Sequence, residues 1–201
     1  MINKPKYKTA RRLGANIFDK TQTQKFATKE AQRKVEKRSR PKSDFGLQML
    51  EKQKAKATYG VSERMFAKYV KSILDKAGAN SPADLILILE SRLDNVIYRL
   101  GLTASRQASR QMVSHGHIMV NGVKVTIPSY RVSVGDKISI RERSNKKGIF
   151  TNIDEKLKTH VYPSWLAFDI TKKEAKVQGA PKLTSLENSF DPTAILNFYS
   201  R

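Results

Sequence analysis

Apolar side chains in the first half of the chain recur at the spacing of an amphipathic helix. From residue 62 to residue 78 they stand three and four positions apart, with Ser62 as a good N-cap and Gly78 where the helix should end. The preceding stretch LQMLEKQKAKATYG, residues 47–60, predicts another helix, whose basic end holds three lysines: Lys52, Lys54 and Lys56. The pattern therefore predicts two consecutive helices.

A longer apolar stripe follows over residues 82–100. Pro82 suits the first helical position and Gly101 suits the end, which predicts one helix or two nearly continuous ones. Arg92 and Arg99 stand seven residues apart and border this stripe. Two arginines are therefore expected at the edge of a buried helical face.

The next segment predicts a shorter helix that carries two more arginines. Arg106 and Arg110 lie one helical turn apart, His115 falls in the last turn, and Gly116 is suited to end the helix. The four arginines of residues 91–110 are thus expected on or beside helices.

After this helix the pattern changes to that of strands. Asn121-Gly122 stands between two β-branched runs, which is a strong hairpin signal. The two-residue loop predicts the cross-strand pairs Val120 with Val123, Met119 with Lys124, and Ile118 with Val125. We expect the four β-branched residues to pack on the core side and Met119 with Lys124 to form the available face.

Alternation resumes around a Gly135-Asp136 turn. Val132 and Val134 precede the turn, and Ile138 and Ile140 follow it, which predicts further strands of a small sheet. The fold class expected is therefore α+β: a helical N-terminal body, a module of two helices and a short antiparallel sheet, and an extended basic N-terminal arm.

Charge divides the chain into four segments. The 201 residues contain 39 Lys and Arg against 18 Asp and Glu, a net charge of +21. Residues 1–42 hold 14 basic and 3 acidic side chains and predict a basic arm, because self-repulsion opposes compaction. The other expected segments are a helical domain over 43–90, the α+β module over 91–143 and a mixed segment over 144–201, part of which packs back on the helical domain.

Such an excess of positive charge indicates a polyanionic partner, and nucleic acid is the usual one. Within residues 91–143 nine basic side chains face only three acidic ones, so we expect most of the arginines to lack an intramolecular partner and to line a phosphate-binding surface. The candidate RNA-binding residues are Arg11, Arg12, Arg38, Arg40, Lys52, Lys54, Lys56, Arg92, Arg99, Arg106, Arg110, His115, Lys124 and Arg131.

Several chemistries are not expected. The chain has no cysteine, which excludes disulfides, thiol catalysis and Cys-ligated zinc, and no apolar run approaches the length of a membrane span. His115 and His117 lack further ligands nearby, so a helix-end histidine is expected rather than a metal site. No catalytic motif, metal or cofactor is expected, and Asp94 is interpreted as a surface or first-turn charge.

Residues 91–142, SRLDNVIYRLGLTASRQASRQMVSHGHIMVNGVKVTIPSYRVSVGDKISIRE, resemble the S-four RNA-binding domain. The preceding SDFGLQMLEKQKAKATYGVSERMFAKYV, and PSWL and YSR after it, are similar to the rest of the ribosomal S-four family. Where members of this family carry a four-cysteine zinc site or a P-G-Q-H-G turn, this chain has EAQRKVEKRSRPKSDFG, so zinc is not expected.

The resemblance implies a structural constituent of the small ribosomal subunit that binds its RNA at a multi-helix junction early in assembly. It further implies ribosomal protein S-five, other small-subunit proteins and mRNA, near the point where it enters the subunit, as partners, with an influence on translational accuracy. A cytoplasmic ribosome of bacterial type is expected, or an organellar one.

Two alternatives belong to other classes. One is an RNA-modifying enzyme of the pseudouridine synthase kind, against which the length argues, since about 90 residues before the module and about 60 after it leave no room for a catalytic domain of about 100 residues. The other is a free ribosome-associated RNA-binding protein.

Overall fold

The computed structural model describes residues 5–14, 17–18, 21–36, 42–75, 82–145, 148–150, 157, 160–169, 172–181 and 189–200. These ranges hold nine α-helices and one five-stranded antiparallel sheet, so the predicted α+β class is confirmed. Internal contacts divide the chain into two units, which we call the helical unit (Met1–Leu85 with Leu183–Arg201) and the sheet unit (Ile86–Lys182).

In its described residues the helical unit contains five complete helices and the start of a sixth. Its complete helices are α1 (Lys6–Leu13), α2 (Gln24–Glu36), α3 (Asp44–Tyr59), α4 (Glu63–Leu74) and α9 (Pro192–Tyr199), and α5 (Pro82–Glu90) runs from this unit into the next. The C-terminal helix α9 packs against α3 and α4.

The basic N-terminal segment is not an extended arm in its described residues, contrary to the expectation from its charge. It forms α1 and α2, because each helix has apolar side chains to bury: Leu13 on α1 and Phe26 on α2. Local pairing also offsets part of the repulsion, since Arg11 Nε lies 3.4 Å from a carboxylate oxygen of Glu30 and its guanidinium lies over the Phe26 ring.

The helix signals in α3 and α4 are confirmed. The Ser43 hydroxyl accepts a hydrogen bond from the Gly46 amide, and the Ser62 hydroxyl accepts one from the Met65 amide, as N-caps do. Gly60 ends α3 in the left-handed conformation. The predicted terminator Gly78 lies outside the described residues.

One carboxylate joins three helices of the helical unit. Glu63, at the start of α4, accepts hydrogen bonds from Lys52 and Lys56 of α3 and, at 3.0 Å, from the hydroxyl of Tyr199 in α9. Burial raises the pKa of Glu63, but these three donors outweigh it and hold the pKa at about 2. Burial and the Glu63 carboxylate raise the pKa of Tyr199.

The described residues of the sheet unit form three complete helices and a sheet around one core. The helices are α6 (Leu93–Arg99), α7 (Arg106–Ser114) and α8 (Glu142–Asn145), and the strands are β1 (Ile118–Val120), β2 (Val123–Val125), β3 (Lys137–Ile140), β4 (Leu166–Asp169) and β5 (Glu174–Val177), in the order β2-β1-β3-β5-β4. The core runs from Leu93 and Ile97 of α6 through Val113 of α7 to Ile118 and Val177 of the sheet.

The predicted hairpin register is confirmed. Val120 pairs with Val123, Met119 with Lys124, and Ile118 with Val125. Asn121 and Gly122 both have positive φ, at 51° and 79°, as the tight primed turn requires. The Asn121 amide also donates to Asp136 and accepts from the Lys137 amide, which fastens the turn to β3.

The predicted burial of the hairpin is wrong at one position. Ile118 and Val120 are buried, but Val123 is 66% exposed. The reason is its place: β2 is the edge strand, and Val123 stands next to the turn, beyond the part of the sheet that the core covers.

One further strand expectation needs correction, and the sheet has two strands that were not predicted. Residues 129–134 form an irregular loop instead of a strand, with a single bridge between Arg131 and Arg92, and Val134 is exposed. Conversely, β4 and β5 of the C-terminal segment complete the sheet, and β5 pairs with β3. Their place could not be read from the sequence, because strand pairing over this distance leaves no local signal.

We predict that Val120→Thr lowers the free energy of unfolding of the sheet unit by about 1–2 kcal/mol, because a hydroxyl enters the core without a partner. Its cross-strand neighbour provides the matched control: Val123→Thr should change stability by less than about 0.5 kcal/mol. Fluorescence of Trp165, the single tryptophan, during urea unfolding measures both, and equal effects would show that the burial of Val120 does not distinguish it from the exposed Val123.

We predict that Glu63→Gln weakens the helical unit fully above about pH 4.5 and progressively less as the pH falls towards 2. A carboxyl group whose pKa is about 2 in the folded chain and 4.5 ordinarily adds stability above the ordinary value and loses it as the pH falls towards 2. Because the Glu63 side chain is 47% exposed, the decrease in stability at pH 7 should be about 1 kcal/mol or less.

Urea unfolding followed by circular dichroism between pH 2.5 and pH 7 measures this difference. Tyr199→Phe removes one of the three donors to Glu63. It should lower the stability of the helical unit by less than Glu63→Gln does, with the same dependence on pH. If the free energy of unfolding of Glu63→Gln differs from that of the wild type by the same amount at every pH down to 2.5, the prediction is contradicted.

Candidate nucleic-acid interface

Arg92 is turned into the protein at the start of α6. Its guanidinium donates two hydrogen bonds to Asp94, Nε to Oδ1 at 3.0 Å and Nη2 to Oδ2 at 2.6 Å, and both residues are buried. Asp94 therefore lies in the first helical turn, as predicted, but not at the surface. The Leu93 amide donates to the Tyr130 carbonyl, so this pair lies where a loop fastens the helix.

Arg99, at the other end of α6, pairs with a carboxylate of the preceding helix. Its Nε and Nη2 donate to the two carboxylate oxygens of Glu90 at 2.9 and 3.0 Å, and Glu90 is fully buried. The Glu90 Oε2 atom also accepts from the side-chain amide of Asn95 at 2.7 Å. A buried carboxylate is stable only when paired and hydrogen-bonded in this way.

The expectation that most of these arginines lack an intramolecular partner is therefore wrong. The charge count covered residues 91–143, so it left out Glu90, the residue just before this segment. A count of charges also cannot show that Arg92 and Asp94 are close enough to form two hydrogen bonds. The net charge of a segment indicates what kind of partner it attracts, but it does not show which of its charged side chains form ion pairs within the protein.

Arg106, in the first turn of α7, is held by two interactions. Its Nε donates to Asn95 Oδ1 at 2.7 Å, and its guanidinium carbon lies 4.4 Å from the centre of the Tyr98 ring. Ser105 caps α7 by accepting a hydrogen bond from the Ala108 amide. Arg110 follows one turn later, and both arginines are half-buried.

The end of α7 brings two further candidates together. His115 is exposed at the C-cap, and Gly116 continues in the left-handed conformation with φ at 70°. The aliphatic part of Lys124 lies against Gly116, so closely that a Cβ there would collide with it. A cation beside a helix C-terminus is favourable, and Lys124 extends the positive surface from α7 to β2.

The other predicted residues are distributed as follows. Arg131 is exposed in the loop that bridges to Arg92. In the helical unit Lys52 and Lys56 bind Glu63, and Lys54 binds Glu51 at 2.6 Å, so these lysines have structural partners. Arg11 and Arg12 are exposed on α1, and Arg38 and Arg40 lie outside the described residues.

Sequence reasoning missed three residues that shape this site: Glu90, Asn95 and Tyr98. None of the three had a usable local signal, because Asn95 stands outside the apolar stripe of residues 82–100 and its partners depend on how the helices pack. His117, considered with His115 for a metal, is buried and bonds Ser144 through Nδ1.

Within the ranges that the structure describes, no group of acidic, histidine or cysteine side chains is arranged to hold a metal ion. In the same ranges no helix combines the length and the apolar character that a bilayer crossing needs. The arrangement around α7 is suited to binding phosphate groups: two half-buried arginines, an exposed lysine and an exposed histidine on one stretch of the sheet unit.

We predict that Arg99→Ala lowers the free energy of unfolding of the sheet unit by about 3 kcal/mol, because it leaves the buried Glu90 carboxylate without its cation. Replacing Glu90 by Gln in the same chain should recover part of this stability. Trp165 fluorescence during urea unfolding measures both, and Arg131→Ala, at an exposed arginine, is the control. A destabilisation no larger than that of the control would refute the structural role of the pair.

Comparison with known proteins gives two family matches. The S4 domain model matches residues 91–138, and the model described as the ribosomal protein S4/S9 N-terminal domain matches residues 2–90.

Curated relatives match along nearly the whole chain. The small ribosomal subunit protein uS4 of Roseiflexus sp. (strain RS-1) is 42% identical over 204 residues, covering 98% of this chain and 97% of the relative. The protein of the same name from Leptothrix cholodnii is 40% identical over 203 residues, with the same coverage. That of Herpetosiphon aurantiacus is 45% identical over 166 residues, which is 82% of this chain and 78% of the relative.

Proposed function

The chain belongs to the ribosomal protein S4 family, and from this premise we propose that it binds small-subunit ribosomal RNA directly, through the surface of the sheet unit around α7. The family role is a structural one in the small ribosomal subunit, and the protein is not an enzyme. An RNA-modifying activity, the main alternative from the sequence, is therefore not supported.

The observation that carries the proposal is the position of Arg106. A guanidinium that hydrogen-bonds Asn95 and stacks on Tyr98 is held in one orientation before any ligand arrives. Such preorganisation lowers the entropy that binding costs. The planar fork of arginine matches the oxygens of a phosphate group.

Charge around this arginine supports the same ligand. Residues 91–143 carry a net charge of +6, and two of their three acidic residues already accept hydrogen bonds within the unit: Asp94 from Arg92, and Asp136 from Asn121. Lys124 and Arg131, which are counted in this excess, are exposed, as is the neutral hydrogen-bonding side chain of His115. Phosphate contacts that release counterions account for such a surface.

The family resemblance supports the finer parts of the proposal. The RNA site is a junction of several helices, which proteins of this kind bind by shape and backbone, and binding there would place the chain early in subunit assembly. The proposed neighbours are ribosomal protein S-five, other small-subunit proteins and mRNA where it enters the subunit, with an effect on translational accuracy. The proposed location is a cytoplasmic ribosome, and the bacterial relatives favour the bacterial type.

We predict that Arg106→Ala with Arg110→Ala weakens binding to a full-length bacterial small-subunit ribosomal RNA transcript by about 10- to 100-fold. The slope of log K against log salt should fall by about 1 for each phosphate group that the variant no longer binds. Filter binding between 50 and 300 mM KCl measures both quantities.

The matched control is Gln107→Ala with Gln111→Ala, which changes the two exposed neutral neighbours on the same helix. This control should leave the salt slope unchanged. An unchanged slope in the arginine variant would show that α7 does not face RNA phosphates, and absence of binding by the wild-type chain would refute the proposed function itself.

A further inference from the structure

Asn95 connects a buried carboxylate to the arginine at the candidate interface. Its Nδ2 donates to Glu90 Oε2 at 2.7 Å, and its Oδ1 accepts from Arg106 Nε at 2.7 Å. An asparagine amide has one donating end and one accepting end, so these two bonds require one orientation of the amide and exclude the reversed one.

The orientation is set by the chemistry of the two neighbours. The Glu90 carboxylate only accepts, and the Arg106 guanidinium only donates, so a reversed amide would place oxygen against oxygen and nitrogen against nitrogen. Glu90 itself cannot turn, because both of its oxygens are bound by Arg99 and its side chain is fully buried. Glu90 therefore fixes the orientation of the Asn95 amide, and this amide fixes the orientation of the Arg106 guanidinium.

We propose that Glu90 and Asn95 are positioning residues for RNA binding: they hold the Arg106 guanidinium in the orientation in which it contacts a phosphate of the RNA. Neither residue touches the RNA, since both are buried. This inference rests on the proposed function and adds to it the part of the fold that presents the binding group.

The chemistry of Arg106 explains why a lysine could not take its place. The bond to Asn95 uses Nε, and the guanidinium carbon lies 4.4 Å from the centre of the Tyr98 ring. A lysine has the same charge, but its single ammonium group could not bind Asn95 through one nitrogen and present a separate planar pair of N–H groups to a phosphate.

The test is a double-mutant cycle on binding to the full-length bacterial small-subunit ribosomal RNA transcript at fixed salt. The chains compared are wild type, Asn95→Ala, Arg106→Ala, Arg106→Lys, and Asn95→Ala combined with each Arg106 change. Arg106→Ala and Arg106→Lys should each weaken binding by about tenfold, and Asn95→Ala alone by about three- to tenfold.

The two double variants decide the question. If Asn95 acts through Arg106, adding Asn95→Ala to either Arg106 change should weaken binding by less than about twofold. The fall in melting temperature caused by Asn95→Ala, read from Trp165, should largely remain in those chains, because all of them lack the bond to Glu90. A merely structural role would instead weaken RNA binding by the same factor in every background, and that result would overturn the inference.

Arg106→Lys keeps the test valid even where Asn95→Ala does not fold. If the lysine chain binds RNA as tightly as wild type, orientation by Asn95 is unnecessary and the inference fails. Ser144→Ala is the control for destabilisation, because it removes the hydrogen bond to the buried His117 elsewhere in the sheet unit. If it weakens RNA binding at all, it should do so by the same factor whether or not Arg106 is changed. Wild-type chain that does not bind the transcript would reject the proposed function, and the inference with it, whereas binding with additive effects would reject the inference alone.

Discussion

The buried carboxylate of Glu90 is the constraint on which the arrangement of the sheet unit depends. A charge with no exposed surface must be neutralised within hydrogen-bonding distance, and Arg99 and Asn95 of α6 do this. These two interactions with Glu90 fix the position of α6 and the orientation of the Asn95 amide. Through that amide they also fix the orientation of the Arg106 guanidinium. An acidic residue thereby organises a surface suited to an acidic ligand.

The same use of carboxylates recurs at other structural points of this basic chain. With 18 acidic residues against 39 basic ones, each well-placed carboxylate can hold more than one donor. Glu63 holds two lysines and a tyrosine where α3, α4 and α9 meet, and Asp94 holds Arg92 beneath a loop. Some cations are thus structural, whereas Lys124 and Arg131 are exposed.

Local features were predictable from the sequence, and distant pairings were not. The hairpin register at Asn121-Gly122 and the cap at Ser62 depend on neighbouring residues, and the structure has them as expected. The exposure of Val123 and the strands β4 and β5 depend on what lies across the sheet, which periodicity does not encode.

The candidate site shows the same division. The spacing of Arg106 and Arg110 predicted that they lie together on one helix. The partners of Arg92 and Arg99 depend on the positions of side chains in the folded protein, which spacing does not give. The helices of residues 1–42 were missed because net charge was given more weight than a few buried side chains, among them Leu13 and Phe26.

A cryo-electron microscopy structure of the chain bound to small-subunit ribosomal RNA gives the most direct test. We expect Arg106 and Arg110 to contact RNA phosphates, with Arg106 Nε still on Asn95 and the Asn95 amide still on Glu90. A complex in which α7 faces solvent or another protein, or in which Arg106 leaves Asn95 to reach the RNA, would contradict this assignment.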